Sequence, residues 1–244
     1  TIKMFKTLPS YPSSVHLSAS VTFPHYGSNG DYKASDYKLF GLPGASNISV
    51  STIMAGEHKK NWNSYWDNGQ SSNYMIEYDG TDIFKFSVGR AFWIISNSDI
   101  SINQTVATSS LNAQQEIEIP LHPGWNIIAN PFSANINWQK VQQKNNISDP
   151  IWSYSSKFET SSIFEQYKGY YFDNKNNLSY LRIPYSLTEA SIAGNDENEK
   201  PQIEININLS SKDGDHGSVK IGISDKATEN IDDMDYKKPA APGL

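Results

Sequence analysis

Val88-Gly89-Arg90-Ala91-Phe92-Trp93-Ile94-Ile95-Ser96 is a run of bulky apolar residues entered through a glycine and closed by polar Ser96, Asn97 and Ser98. A short continuous apolar run bounded by turn chemistry reads as a buried strand. The pattern returns at Lys168-Gly169-Tyr170-Tyr171-Phe172-Asp173-Asn174, where Phe92 and Trp93 become Tyr170 and Tyr171. The echo predicts a duplicated β unit built around two aromatic strands.

The residues before the first aromatic strand supply its neighbours. Between 15 and 23, Val15, Leu17, Ala19, Val21 and Phe23 alternate with His16, Ser18, Ser20 and Thr22, which predicts a half-buried antiparallel strand with His16 on the polar face. Tyr37-Lys38-Leu39-Phe40-Gly41-Leu42-Pro43-Gly44 reads as a strand ending in a Pro-Gly turn, and 48–54 as another short strand. Trp62, Tyr65 and Trp66 follow one-three-four spacing in 59–67, which predicts a helical turn or two. Tyr74-Met75-Ile76-Glu77-Tyr78 restores alternation before Asp79-Gly80, which reads as a hairpin turn, and 100–106 is a further strand.

The second half repeats this order. Alternation at 115–121 answers 15–23, and Ile127-Ile128-Ala129-Asn130-Pro131 matches Leu39-Phe40-Gly41-Leu42-Pro43. An amphipathic helix at 136–143 carrying Trp138 is expected to answer Trp62 and Trp66, and Pro150-Ile151-Trp152-Ser153-Tyr154 to answer 74–78. Pro43 and Pro131 are 88 positions apart but Phe92 and Tyr170 only 78, so the first copy carries about ten extra residues, expected at 67–73. After 185 the chain turns polar and acidic, then alternates again at 203–209 and 219–223 as a hairpin. The predicted fold is all-β, antiparallel and sandwich-like: two homologous β halves with short helical turns and a terminal β-hairpin. The first repeat takes 1–110 with its core at 36–106, the second takes 111–186, and 187–244 holds an acidic linker, the hairpin and a Pro-rich linker.

Composition removes several functions. The chain has no cysteine, which excludes disulfides, thiol catalysis and cysteine-ligated zinc. The net charge is −6 and the basic residues are scattered, so the clustered footprint of a nucleic-acid or anionic-membrane binder is missing. No stretch approaches the roughly 18 apolar residues of a membrane span. The opening Thr1-Ile2-Lys3-Met4-Phe5-Lys6 lacks a signal peptide's apolar run, and Pro239-Ala240-Ala241-Pro242-Gly243-Leu244 reads as a linker cut mid-chain; a piece of a longer exported protein is the expectation.

Asp36-Tyr37-Lys38-Leu39-Phe40-Gly41-Leu42-Pro43-Gly44, the 88–96 stretch and Gly124-Trp125-Asn126-Ile127-Ile128-Ala129-Asn130-Pro131-Phe132 together resemble a non-catalytic β module of large secreted bacterial surface proteins. In that group the module lies upstream of a C-terminal type IX secretion sorting domain. The acidic Ala227-Thr228-Glu229-Asn230-Ile231-Asp232-Asp233-Met234-Asp235 segment adds to the likeness. The resemblance implies a secreted or cell-surface location and a structural or adhesive role, with polysaccharide or other surface proteins as partners. It transfers no catalytic residues.

Candidate chemistry is sparse. His16, His25, His58, His122 and His216 are isolated, without the spacing that sets two imidazoles on one metal, and no Gly-x-Ser-x-Gly is present. Glu116 and Glu118 project from one strand face at a separation a glycosidase could use, although a solvated strand face needs the same alternation. Asp213 and Asp215 in one loop, and Asp232, Asp233 and Asp235 further on, carry the hard oxygen donors calcium prefers, without EF-hand spacing. The enriched resource is aromatic. Trp62, Tyr65 and Trp66, flanked by Asn61, Asn63, Asp67 and Asn68, would form a stacking platform for sugar rings if exposed; the competing expectation is that they plug the end of a sheet.

Overall fold

A computed structural model describes residues 10–23, 33–70, 72–186, 203–210 and 216–223, the last two segments as backbone only. In chain order the first half comprises β1 (Ser14–Val21), β2 (Lys38–Gly41), β3 (Ile48–Ser49), the one-turn helix α1 (Val50–Ile53), β4 (Trp62–Asp67), β5 (Met75–Glu77), β6 (Lys85–Phe86), β7 (Ala91–Ser96) and β8 (Ile100–Ala107). The second half comprises β9 (Glu116–Pro120), β10 (Gly124–Ala129), β11 (Ile136–Asn137), α2 (Trp138–Asn145), β12 (Ile151–Tyr154), β13 (Phe158–Ser161), β14 (Ile163–Phe164), β15 (Gly169–Asn174) and β16 (Tyr180–Pro184). Finally, β17 (Ile203–Ser210) and β18 (His216–Ile223) pair with each other as a separate two-stranded antiparallel ribbon. The architecture is all-β and antiparallel, with short helices.

The pairing of the first half recurs in the second. Strand order β2-β7-β4-β5 reappears as β10-β15-β12-β13, the pair β1-β8 as β9-β16, and β3-β6 as β11-β14. Register repeats as well: Phe92 lies opposite Phe40, and Tyr170 opposite Ile128. The two aromatic strands are therefore central in both four-stranded sheets, and all six residues of β7 are buried.

Alternation assigns the two faces of each central strand to different cores. Phe40, Phe92 and Ile94 point into the core of the first half with Leu17, Phe84 and Phe86, while Ile128, Tyr170 and Phe172 join Trp138, Val141 and Leu181 in that of the second. Leu39, Trp93 and Ile95 meet Ile127, Tyr171 and Phe158 in a third core that the two sheets share. Each sheet would leave this aromatic face wet without the other.

The approach is closest where side chains are smallest. Gly41 and Ala91 of one half meet Ala129 and Gly169 of the other; a Cβ added at Gly169 would stand 2.8 Å from that of Ala91, and one added at Gly41 would overlap Ala129. Two single antiparallel bridges cross the junction reciprocally, Phe40 to Lys168 and Arg90 to Ile128. These four positions correspond pairwise in the repeat, so the halves contact each other through equivalent backbone.

Several expectations change. Residues 62–67 form a central strand, not a helix: Trp62, Ser64 and Trp66 take one face and Asn63, Tyr65 and Asp67 the other. Both faces are covered, which erases the polar–apolar alternation that marks a half-exposed strand. The register aligns Tyr65, opposite Trp93, with Trp152, opposite Tyr171, so β12 answers β4 and α2 answers α1. The 48–54 segment is two strand residues followed by a helical turn. Asp79-Gly80 is not a hairpin turn; Asp79 Oδ1 accepts from the Thr81 backbone N–H at 2.9 Å and hydroxyl at 2.7 Å, ahead of a turn of 3-10 helix at Asp82–Phe84. The surplus of the first copy is accordingly divided between the β4–β5 connection and this 78–84 segment.

Candidate functional site

The sequence placed its candidate ligand residues at 62–68, and strand geometry distributes them. Trp62 is 5% exposed. Its ring packs against His58 at 5.0 Å and Tyr78 at 4.9 Å, and its Nε1 donates to the Gly56 carbonyl. Trp66, on the same face, is half-buried beneath Arg90, whose guanidinium lies 5.0 Å from the ring centroid and donates to the Ile83 carbonyl at 2.9 Å. Burial lowers the Arg90 pKa from its ordinary value. Tyr65 emerges on the opposite face, its ring 6.1 Å from that of Tyr37. The three aromatics therefore do not form one platform, because residues one position apart on a strand project to opposite sides.

Asp67 is also not a surface ligand. It is 4% exposed, at the contact between the halves. Its Oδ1 accepts from the Gly69 N–H at 2.9 Å, and the Tyr171 hydroxyl donates to Oδ2 at 3.4 Å. That hydroxyl in turn accepts from Trp93 Nε1 at 3.1 Å. Burial raises the Asp67 carboxyl above the usual range, opposed by the Gly69 N–H, the nearby His122 and the Tyr171 hydroxyl. Tyr171 itself is pushed well above the ordinary phenol value by burial, and further by the Asp67 charge. Asn68 sits in the β4–β5 connection, its amide donating to the Asn73 carbonyl at 3.2 Å.

What β4 does build is a shallow depression of about 260 Å³ at the rim of the shared core, lined by Tyr37, Lys59, Trp62, Asn63, Tyr65, Glu77 and Ile95, which brings two of the sequence candidates, Trp62 and Tyr65, to one place. Asn63 is the hub. Its Nδ2 donates to Glu77 Oε1 at 2.8 Å and to the Tyr65 hydroxyl at 2.9 Å, while its Oδ1 accepts from the Ser64 N–H and faces His58 Nε2 at 3.0 Å. Lys59 Nζ reaches Glu77 Oε2 at 3.2 Å. The Asn63 hydrogen bond, aided by Lys59, holds the Glu77 carboxyl below its ordinary pKa. The depression thus combines two phenol rings with an amide, a carboxylate and an ammonium. Tyr37 and Glu77 were missed from sequence because they reach Asn63 and Tyr65 from distant positions in the chain. The one available signal was the alternation Asn63-x-Tyr65-x-Asp67.

The remaining candidates find other places. Lys144 closes on Glu116, and Arg182 Nε lies 3.3 Å from Glu118 Oε1, so cations occupy both of these strand-face carboxylates. Among the described residues no three His, Cys, Asp or Glu converge to hold a metal ion. Asp213, Asp215, Asp232, Asp233 and Asp235, the residues expected to suit calcium, lie outside the described residues, as do 187–202 and the Pro-rich end. No helix among the described residues is long and apolar enough to cross a membrane. Comparison with protein-family models, with curated proteins and with solved structures finds no match to this chain.

Proposed function

We propose that this chain is a non-enzymatic structural or adhesive β module of a secreted or cell-surface bacterial protein, of the kind exported by type IX secretion. The observation that carries the reading is where the aromatic side chains go. Trp93 contacts Tyr154, Phe158 and Tyr171 across the junction with ring centroids 4.8 to 6.1 Å apart, and Trp62 and Trp138 are buried within their own halves. Aromatic surface used this way supplies cohesion between two repeats, as a load-bearing spacer or adhesive stalk requires.

A second reading, carbohydrate binding, is favoured by the depression at Tyr65. A sugar edge could meet the Asn63 amide and the Glu77 carboxylate there, with Tyr65 as the apolar wall. Polysaccharide is the partner in this case; other surface proteins are the partner in the first. A glycan array on the full chain and on Tyr65→Ala separates them. The structural reading expects no saturable binding. Saturable binding abolished by Tyr65→Ala, with the far-UV spectrum unchanged, would replace it with the second, and turnover of any glycan would overturn both.

A further inference from the structure

We propose that Asn68-Gly69 is a self-processing site, at which Asn68 loses its side-chain amide through a cyclic imide, with Asp67 as general base and the Gln70 backbone N–H as oxyanion donor. Three hydrogen bonds in the β4–β5 connection place the required groups. Gly69 N, the nucleophile, donates to Asp67 Oδ1 at 2.9 Å. Gln70 N donates to Asn68 Oδ1 at 2.9 Å, on the oxygen that gains charge when the side-chain carbonyl is attacked. Asn68 Nδ2, the leaving nitrogen, donates to the Asn73 carbonyl at 3.2 Å. Gly69 is exposed with φ +73°, and a Cβ there would overlap the His122 ring, so the turn requires glycine at this position.

The step balances without a cofactor. Gly69 N bonds to Asn68 Cγ as its proton passes to the Asp67 carboxylate, giving a five-membered ring with negative charge on Oδ1. The Cγ–Nδ2 bond then breaks, and ammonia departs with the proton Asp67 had taken. Solvent water opens the imide at either carbonyl and leaves aspartate or isoaspartate at position 68. Nucleophile, base and oxyanion donor are adjacent in one turn, so imide formation is intramolecular. The product replaces the Asn68 amide with a carboxylate one residue after buried Asp67. The equivalent turn of the second half, with Ser155 N donating to the Lys157 carbonyl at 3.0 Å, has no such constellation, so the activity belongs to the longer connection of the first half.

The test is the rate of amide loss at position 68 in the full chain at neutral pH and physiological temperature. It is read by peptide mapping and isoaspartate quantification, for folded wild type, urea-unfolded wild type, and folded Asp67→Asn and Asp67→Ser. Both substitutions keep an acceptor for the Gly69 N–H and remove the base; circular dichroism identifies which of them is folded. General-base assistance of this kind predicts a folded wild type at least about tenfold faster than the unfolded chain and than either folded variant. A folded rate equal to or below the unfolded rate overturns the proposal. So does a folded variant that reacts as fast as wild type or faster, since the Asp67 contact would then only tether Gly69.

Discussion

Replacing Gly41 with alanine adds one methyl at the point where the halves come closest. The added Cβ would lie 3.2 Å from both the Ala91 Cβ and the Arg90 carbonyl oxygen, inside ordinary carbon contact, and would overlap the Ala129 Cβ. Gly41 has an ordinary strand backbone, so alanine by itself should help by about 0.5–1 kcal/mol. Overpacking a filled interior costs about 1–3 kcal/mol, and here both neighbours are fixed by backbone pairing. The net expectation is a loss of about 1–2 kcal/mol, read in urea unfolding as a lower midpoint at unchanged slope. In a chain of this size it lowers Tm by about 3–6 °C. Ala129→Gly removes the methyl on the other side, so the double variant should recover more than the sum of the two single effects allows. A Gly41→Ala protein as stable as wild type, or a double variant with additive losses, would refute the packing described for the junction.

Other perturbations probe individual contacts. Ser64 is wholly buried on the face of β4 that meets the first core, its hydroxyl has no hydrogen-bond partner, and the repeat places Ile151 at the equivalent position. Ser64→Val should therefore raise stability by about 1 kcal/mol in thermal unfolding. Asn130 donates to the Ala134 and Phe164 carbonyls and accepts from the Phe132 N–H, so Asn130→Leu, despite Leu42 at the equivalent place, should cost about 2–4 kcal/mol in urea. Asp67 has a native pKa above its unfolded value, so its stability contribution is fully present below the unfolded carboxyl pKa. It is lost as pH rises through the native pKa. Asp67→Asn should accordingly be more stable than wild type at neutral pH, with the difference disappearing under acid conditions; urea midpoints at the two pH values check it.

The parts of the fold legible in the sequence are those whose pattern is local. Strands with one wet face, such as 15–21 and 100–107, announce themselves by alternation, and the continuous apolar run at 91–96 can only be buried. The echo at 169–174 carries the correct register because packing at the shared core constrains both copies alike. Illegible was the strand at 62–67, whose two covered faces remove the period-two signal and leave a chance helical spacing of Trp62, Tyr65 and Trp66. Burial of Asp67 was hidden too, since it depends on Tyr171, 104 residues away. The depression at Tyr65 shares that difficulty: β4, β5 and β7 build it with Tyr37 and Lys59, and the adjacency of those strands is set by sheet order, not by neighbours in the chain.

The central claim is that two equivalent halves make one cooperative structure through a common core, and native-state hydrogen exchange tests it most directly. The account predicts that the amides of Phe92, Trp93 and Ile94 in β7 and of Tyr170, Tyr171 and Phe172 in β15 exchange only through global unfolding, with the same free energy, and that Gly41→Ala lowers both by the same amount. Exchange of one strand through a lower-energy opening, or a Gly41→Ala effect confined to β7, would contradict it.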